Sequence, residues 1–200
     1  MSSKAKARQG LLVVISAPSG CGKTSIVERL LKRNLDWVRS VSATTRPPRM
    51  GEKNGEDYLF LSRDDFENMK AQSQLLEWAE IYGQFYGTPA SFVARQTDEG
   101  KVVLLTIDVQ GSRQIKESWG KGHPMLSIFI LPPSVKALRE RLANRNTETP
   151  EEIEKRIAIA QEEIKSAAFY DKTVINQSLD QAVLDVEEII QNFLNERSQK

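Results

Sequence analysis

The chain has 200 residues, of which 40% are hydrophobic and 28% are charged, and its formal net charge is +1. This length suits a single domain, with or without a small insertion, that buries a substantial core. A net charge of +1 argues against a nucleic-acid-binding domain, which is usually strongly basic. Any site for an anion must therefore be formed by a few neighbouring residues.

The basic segment 1–9 is predicted to be a disordered tail that precedes a single domain over residues 10–200. The apolar run after this tail, LLVVI, has five residues and is too short for a signal peptide or a membrane span. Cys21 is the only cysteine, so no intramolecular disulfide can form and a reducing cytoplasm fits best. We therefore expect a cytoplasmic protein that binds neither membranes nor nucleic acids.

Continuous apolar runs predict buried parallel strands. These runs are residues 11–16, 102–107, 125–131 and 173–175. The segments between and after these runs have helical apolar spacing, as the last one shows with Val183, Val186, Ile190 and Phe193. This alternation is typical of a three-layer α/β fold, in which helices cover both faces of a mostly parallel central sheet.

Two segments interrupt the alternation. Residues 42–88 contain loops, short strands of mixed polarity and a helix that begins near Ser62. They predict a small α+β lobe inserted between core segments 10–41 and 89–200. Residues 141–156 contain a polar loop and then a helix capped by Thr149, with Pro150 at its first position and Glu152 three residues after the cap. We interpret this second segment as a helical lid.

The sequence SAPSGCGKTS, residues 16–25, lies between a predicted strand and a predicted helix, which is the context of a phosphate-binding P-loop. Gly20 and Gly22 let backbone N–H groups converge on phosphate oxygens, Lys23 reaches the β- and γ-phosphates, and Thr24 ligates Mg²⁺. Ala17 departs from the pattern, because a glycine is expected there. The alternative interpretation is an ordinary strand-to-helix turn. The loop residues are Ala17, Pro18, Ser19, Gly20, Cys21, Gly22, Lys23 and Thr24.

Asp108 ends the run VVLLTID, at the carboxyl end of a predicted strand, where ligands of open α/β sheets bind. It resembles the acid of a Walker B motif. Such an acid holds Mg²⁺ through water or accepts a hydrogen bond from a second substrate. The alternative is a cap for a helix that begins after VQG.

A second phosphate site is indicated by Arg46 and Arg49 in a proline-stiffened loop, with Tyr58 nine residues after Arg49. Five motifs resemble, in order and spacing, those of guanylate kinases, which phosphorylate GMP with ATP. They are SVSATTRPPR with GEDY, LLEWAEIYGQFYGT, IDVQG, FILPPS and RLANRNTET. The resemblance extends from Gly10 to about Phe193 and implies a P-loop kinase fold with a GMP-binding lobe and a lid.

The resemblance implies a role for individual residues. ATP contacts are implied for the eight loop residues and Asn176. Contacts to the GMP phosphate are implied for Arg46, Arg49, Tyr58 and Tyr86. Other GMP contacts are implied for Ser42, Glu77, Thr88 and Asp108. Catalytic roles are implied for Lys23, Arg46, Arg141, Arg145 and Arg156. Magnesium contacts are implied for Thr24 and Asp108, the latter directly or through water.

The chemistry of guanine agrees with the carboxylate at Glu77, because guanine presents donors at N1 and N2 that a carboxylate accepts. The chain departs from the family at Thr106, where many members have an acidic residue. The expected cofactor is Mg²⁺, and the expected substrates are ATP and GMP, with dGMP as a further acceptor. Monomer and homo-oligomer are both left open.

Two other functions compete with an active guanylate kinase. One is a catalytically silent guanylate kinase-like module that binds phosphorylated peptides, but such a module is expected to lose residues such as Lys23, Arg141 or Arg145, all of which are present. The other is a different P-loop enzyme, a GTPase or a kinase for another small molecule. The chain has no N-K-x-D motif, which weakens the GTPase interpretation.

Overall fold

A computed structural model of the chain describes residues 10–81, 83–144 and 149–199. The strands are β1 (Leu11–Ser16), β2 (Val38–Arg39), β3 (Ala43–Thr44), β4 (Leu59–Phe60), β5 (Leu75–Ile81), β6 (Gln84–Pro89), β7 (Val102–Thr106), β8 (Met125–Leu131) and β9 (Lys172–Ile175). The helices are α1 (Lys23–Arg33), α2 (Arg63–Ala71), α3 (Ala90–Asp98), α4 (Val109–Ser118), α5 (Val135–Ala143), α6 (Pro150–Lys165) and α7 (Leu179–Ser198).

The central sheet has five strands in the order β2-β7-β1-β8-β9. The pairs β2–β7 and β8–β9 are parallel. Every residue of β1 is buried, as is expected for a strand covered on both faces. The prediction of an α/β fold with a mostly parallel sheet is thus confirmed. Two strand ends differ by one residue from the prediction, since β7 ends at Thr106 and β9 begins at Lys172.

A second sheet of four strands, in the order β4-β3-β6-β5, lies within residues 42–89. Its pairs β3–β6 and β5–β6 are antiparallel, and β3–β4 is parallel. Helix α2 is capped by Ser62, whose Oγ accepts from the Asp65 N–H at 3.0 Å. Phe66 of this helix stacks on Phe85 with ring centroids 5.3 Å apart, and Trp78 packs against the same cluster. Phe85 and Trp78 therefore belong to a local core.

The described chain divides into two compact units. The first comprises residues 10–12, 36–104 and 110–125, and it contains the second sheet with α2, α3 and α4. The second comprises residues 13–35, 105–109 and 126–199, and it contains α1, α5, α6 and α7. In the described parts of the chain, every helix is too short or too polar to span a bilayer.

Helix α7 packs on α1 within the second unit. The predicted apolar stripe of α7 is buried at Val183, Val186 and Ile190, and it becomes half-buried at Phe193. At the rim of this contact, the Arg33 guanidinium donates to the carboxylate of Glu187, also on α7, at 2.8 and 3.0 Å. The stripe buries apolar surface, and burial of such surface is the main stabilising term for a helix of this kind.

Helix α4 begins at Val109, directly after Asp108. The residues VQG therefore form its first turn, and the expectation of a helix that begins after VQG is wrong. Gly111 does not stop the helix here, because a single glycine in a helix costs only about 1 kcal/mol relative to alanine. The shift matters for the site, since it turns Gly111 and Gln114 into neighbours on one helical face.

Helix α6 begins with the predicted capping box. The Thr149 Oγ accepts from the Glu152 N–H at 3.3 Å, and the Glu152 carboxylate accepts from the Thr149 N–H at 2.8 Å. Pro150 occupies the first helical position, where its missing N–H is not needed. The bond from the Thr149 backbone holds the pKa of Glu152 below its usual range.

We predict that Thr149→Ala lowers the free energy of unfolding by about 1 kcal/mol, because one N–H of the first turn loses its acceptor. Urea unfolding followed by circular dichroism measures this change. The control is Thr149→Ser, which keeps the hydroxyl and should stay near the wild type. A Thr149→Ala protein as stable as the wild type would show that the cap contributes nothing.

We also predict a pH dependence for Glu152. A carboxyl whose pKa is lower in the folded state stabilises the fold at pH values above its unfolded pKa, about 4.3. That contribution is lost as the pH falls through the folded pKa. The stability difference between the wild type and Glu152→Gln should therefore be largest near neutral pH and shrink below about pH 4. A difference that is constant from neutral to acidic pH would contradict this.

Candidate active site

The loop between β1 and α1 has the backbone geometry of a phosphate cradle. Gly20 and Gly22 have φ angles of 87° and 81°, in the left-handed region that favours glycine. Gly22 is the N-cap of α1, so the unpaired N–H groups of the first helical turn follow it directly. These groups and the positive end of the helix dipole attract anions.

One pocket of about 370 Å³ contains the loop. It is lined by residues 17–25, Asp108 and Glu163. The structure thus brings together the predicted loop residues and the predicted Walker B acid. Glu163 was missed by sequence reasoning, because a glutamate in the charged helix α6 looks like part of a solvated face. No local motif could have identified it, since it lies far from the loop in sequence.

Lys23 lies partly buried in this pocket, and its Nζ donates to the Ile107 carbonyl at 3.2 Å. Burial lowers the pKa of Lys23, and the nearby carboxylates of Asp108 and Glu163 act in the opposite direction. A buried ammonium group is stabilised by any anion that approaches it. The Lys23 side chain is therefore placed where a phosphate would favour its charged form.

The pocket offers oxygen donors of the kind that magnesium prefers. They are the Thr24 hydroxyl and the carboxylates of Asp108 and Glu163. Burial is the main cause that raises the pKa of Glu163, and Lys23 opposes this effect. Mg²⁺ in nucleotide sites usually takes one or two carboxylates and completes its shell with phosphate oxygens and water. The donor set fits that ion.

A brace behind the loop is formed by Asn176, which is 3% exposed. Its side-chain Nδ2 donates to the Cys21 main-chain carbonyl at 2.8 Å. Its main-chain carbonyl accepts from the Arg141 guanidinium at 2.8 Å. Among the described residues, Asn176 Oδ1 has no hydrogen-bond partner. A buried acceptor without a donor is costly, so this oxygen is the unsatisfied polar group of the brace.

Arginines from the predicted lid reach the loop region. Arg156 donates to the Ser19 hydroxyl at 2.9 Å. Arg141 contacts the loop indirectly, because it donates to the main-chain carbonyl of Asn176, whose side chain bonds to the loop. Arg145 lies outside the described residues. Two cations from α5 and α6 are thus anchored beside the phosphate cradle.

Cys21 is fully buried in the loop, and burial raises the pKa of its thiol to about 12. The thiol is therefore protonated at neutral pH and is a poor nucleophile. Cys21 thus serves the loop as a small buried side chain and not as a reactive group.

Glu77 lies in a β-bulge of the first unit. Leu75 pairs with Pro89 and Trp78 pairs with Gly87, so the two residues between Leu75 and Trp78 together oppose Thr88. Bulges of this kind redirect a side chain. The Glu77 side chain is 6% exposed, and its Oε1 accepts from the Thr88 hydroxyl at 2.6 Å. The bulge thus joins two of the residues implied for guanine contacts.

The residues implied for the acceptor phosphate also cluster in the first unit. The Arg46 guanidinium lies 5.3 Å from the centroid of the Tyr58 ring, and the rings of Tyr58 and Tyr86 lie 6.2 Å apart in an edge-on arrangement. Arg46 donates to both carboxylate oxygens of Glu52, at 3.0 and 2.9 Å. This pairing and its bond to Tyr86 raise the pKa of Arg46. Glu52, which no motif indicated, occupies the guanidinium fork as a phosphate would.

Two other implied residues lie nearby. Arg49 is exposed, and its backbone N–H donates to a Glu52 oxygen at 2.7 Å. The side-chain bonds from Arg46, followed by this backbone bond from Arg49, lower the pKa of Glu52. Ser42 is half-buried directly before β3, and its carbonyl accepts from the Leu59 N–H at 2.9 Å. Asp108 is found with the P-loop pocket of the second unit.

Comparisons with known proteins agree on one family. The family model described as guanylate kinase matches residues 9–193. A guanylate kinase of Synechocystis sp. is 47% identical over 175 residues, which cover 88% of this chain and 90% of that relative. A guanylate kinase of Wolbachia sp. subsp. Brugia malayi is 44% identical over 190 residues, with 95% and 96% covered. The crystal structure of guanylate kinase from Anaplasma phagocytophilum has a TM-score of 0.73 at 32% identity, covering 92% of this chain and 86% of that one. With the phosphate cradle and the buried carboxylate in place, this chain belongs to the guanylate kinase family.

Proposed function

We propose that this protein transfers the γ-phosphoryl group of ATP to GMP and so produces ADP and GDP. The observation that carries the proposal is the Glu77 carboxylate, buried and bonded to Thr88 in a member of the guanylate kinase family. The relatives compared above bear the name of this activity. A silent peptide-binding module would have no use for the anchored Lys23 and Arg156.

Guanine recognition follows from the chemistry of Glu77. Guanine N1–H and N2–H₂ both donate to a carboxylate, while adenine presents a bare acceptor at N1. Adenine would therefore leave a desolvated carboxylate unpaired, at a cost of about 1 to 3 kcal/mol or more for a charge. The Thr88 hydroxyl orients the carboxylate, and we assign a supporting contact to Ser42.

The acceptor phosphate is held by Arg46, Arg49, Tyr58 and Tyr86. Arg46 now pairs with Glu52 through both guanidinium nitrogens, so GMP has to exchange its phosphate for that carboxylate. Fork-shaped pairing of this kind fixes the direction of the phosphate as well as its position. We assign residues 42–88 to the GMP-binding lobe on this basis.

ATP is held by the loop residues and by Asn176, which we place near the adenine. Lys23 binds the β- and γ-phosphates, and Arg141, Arg145 and Arg156 offset the charge of the transferring group. Residues 141–156 form the lid, which contains these three arginines. Closing such a lid excludes water, which would otherwise accept the phosphoryl group.

Magnesium is the cofactor that we assign to this reaction. Thr24, Asp108 and Glu163 would hold it, either directly or through water. When bound, the ion neutralises charge on the phosphate oxygens. We place the protein in the cytoplasm and in purine nucleotide metabolism, with dGMP as a further acceptor.

We predict that Lys23→Met abolishes phosphoryl transfer, because the phosphates lose the cation that the structure holds at the end of β7. The measurement is ADP formation with ATP, Mg²⁺ and GMP. Thermal unfolding should change by only a few degrees, since a loop cation adds little to the core. Lys32→Met, on the exposed side of the same helix, is the matched control and should keep full activity. Near wild-type turnover in Lys23→Met would exclude a catalytic loop.

We predict that Arg156→Ala lowers kcat with little change in the KM for GMP, because the interaction is made mainly in the transition state. Lys155→Ala removes the neighbouring exposed cation and serves as the control. If the KM for GMP rises and kcat stays constant, Arg156 binds substrate and does not assist the chemistry.

We predict that Glu77→Gln lowers kcat/KM for GMP by roughly tenfold to a hundredfold, because an amide donor then faces the guanine donors. Activity on AMP should fall much less or rise, so the GMP/AMP ratio shrinks. Glu80→Gln is the control, since Glu80 is an exposed carboxylate of the same strand. An unchanged ratio in folded Glu77→Gln would mean that guanine is recognised elsewhere.

A further inference from the structure

Strand β5 is at the edge of the second sheet, and a side chain of helix α4 bonds to its backbone. The Gln114 side chain forms two hydrogen bonds with the backbone of Trp78, since its Oε1 accepts from the Trp78 N–H at 3.1 Å and its Nε2 donates to the Trp78 carbonyl at 3.0 Å. One turn later, the Ser118 hydroxyl donates to the Gln114 carbonyl at 2.9 Å and lies 3.3 Å from the Leu76 carbonyl. The two Gln114 bonds thus hold the β5 backbone next to Glu77 at a fixed distance from α4.

Gly111 is the residue of this helical face that meets Glu77 itself. A Cβ added at Gly111 would lie 2.7 Å from Glu77 Oε2, 3.2 Å from Cδ and 3.4 Å from Cγ. The first distance is shorter than a real contact of this kind allows. Meanwhile Oε1 is held by the Thr88 hydroxyl at 2.6 Å. The carboxylate is thus confined between a hydroxyl and the bare backbone of a glycine.

We propose that Gly111 is a positioning residue for guanine recognition, because its missing side chain determines where the Glu77 carboxylate stands. The inference rests on the guanine-reading role proposed above for Glu77. Gly111 acts on the substrate only through this carboxylate.

An added methyl group would displace the carboxylate and not the strand. The two bonds from Gln114 restrain the backbone of Trp78, next to Glu77. Strand β6 lies close on another side, since a Cβ at Gly87 would be 2.9 Å from the Glu77 carbonyl. The Glu77 side chain is the softest of these parts, because a change of rotamer costs less than a shift of paired backbone.

Helix propensity alone predicts the opposite result for an alanine at this position. Alanine is the best helix former and glycine is among the worst, so the substitution should favour α4. A loss of guanine recognition in Gly111→Ala would therefore not follow from a weakened helix. The two effects can be separated by measuring stability and substrate preference on the same protein.

The test is Gly111→Ala assayed with GMP and AMP. We expect the KM for GMP to rise by about tenfold or more, while kcat falls by less and the GMP/AMP ratio drops. Gly122→Ala is the matched control, because a Cβ at Gly122 meets nothing within 4 Å. A Gly111→Ala protein whose KM for GMP and GMP/AMP ratio both equal those of the wild type would overturn the proposal.

A double-mutant cycle with Glu77→Asp tests whether the effect passes through the carboxylate. Aspartate is one methylene shorter, so its oxygens withdraw from the added methyl group. In the Glu77→Asp background, the same alanine should change the KM for GMP by less than about threefold. An equal effect in both backgrounds would mean that Gly111 acts by packing alone, and the proposal would fall.

Comparison with Glu77→Gln separates this proposal from the proposed function. If Glu77→Gln changes the GMP/AMP ratio and Gly111→Ala does not, the positioning inference alone fails. If Glu77→Gln has no effect, the guanine-reading role fails and the inference fails with it. Should Gly111→Ala not fold, the double variant Gly111→Ala/Glu77→Asp takes its place, because the shorter carboxylate withdraws from the added methyl group. Recovery of folding in the double variant would support the contact with Glu77, and a double variant that also fails to fold would overturn the proposal.

Discussion

Removing charged side chains from water is the constraint on which both compact units depend. A buried charge is tolerated only with a partner. Lys23 donates to the Ile107 main-chain carbonyl beside the carboxylates of Asp108 and Glu163, Glu77 accepts from the Thr88 hydroxyl, and Arg46 pairs with Glu52. These contacts fix the charged groups where we propose that the substrates bind. The fold therefore holds these charged side chains in position before a substrate binds, at a moderate cost in stability. Electrostatic catalysis requires this arrangement.

Glycine solves the same packing problem twice. In the second unit, a Cβ at Gly22 would lie 2.7 Å from Asn176 Nδ2, and in the first unit a Cβ at Gly111 would lie 2.7 Å from Glu77 Oε2. In both cases a polar side chain is placed so close to bare backbone that a Cβ there would force the polar group to move. Gly22 also needs its left-handed φ, while Gly111 lies in a regular helix. Close approach, and not backbone flexibility, is therefore the reason for a glycine at position 111.

Local patterns in the sequence were sufficient to predict several elements of the second unit. The strand β1, the P-loop and the capping box of α6 each depend on residues close together in the chain, and all three were predicted. The roles of Glu163 and Glu52 could not be, because each depends on a neighbour that folding supplies. The bulge that aims Glu77 was equally hidden, since a one-residue irregularity in strand pairing leaves no trace in the alternation of apolar residues. Local patterns thus indicate which segments contain the site, while tertiary contacts determine how its side chains are arranged.

The pair of Arg46 and Glu52 also bears on which anions the first unit accepts. The side chains of both residues remain partly exposed, at 14% and 20%, so a displaced Glu52 carboxylate can return to water without leaving a buried charge. A singly charged anion offers the guanidinium no more than Glu52 already does, and Glu52 has the advantage of being tethered six residues away. On the proposal that Arg46, Tyr58 and Tyr86 bind the acceptor phosphate, a phosphate monoester would gain more from the guanidinium fork than a carboxylate does, because it carries up to two charges and three acceptor oxygens. The ion pair with Glu52 would then favour a nucleoside monophosphate over simple carboxylates at this position.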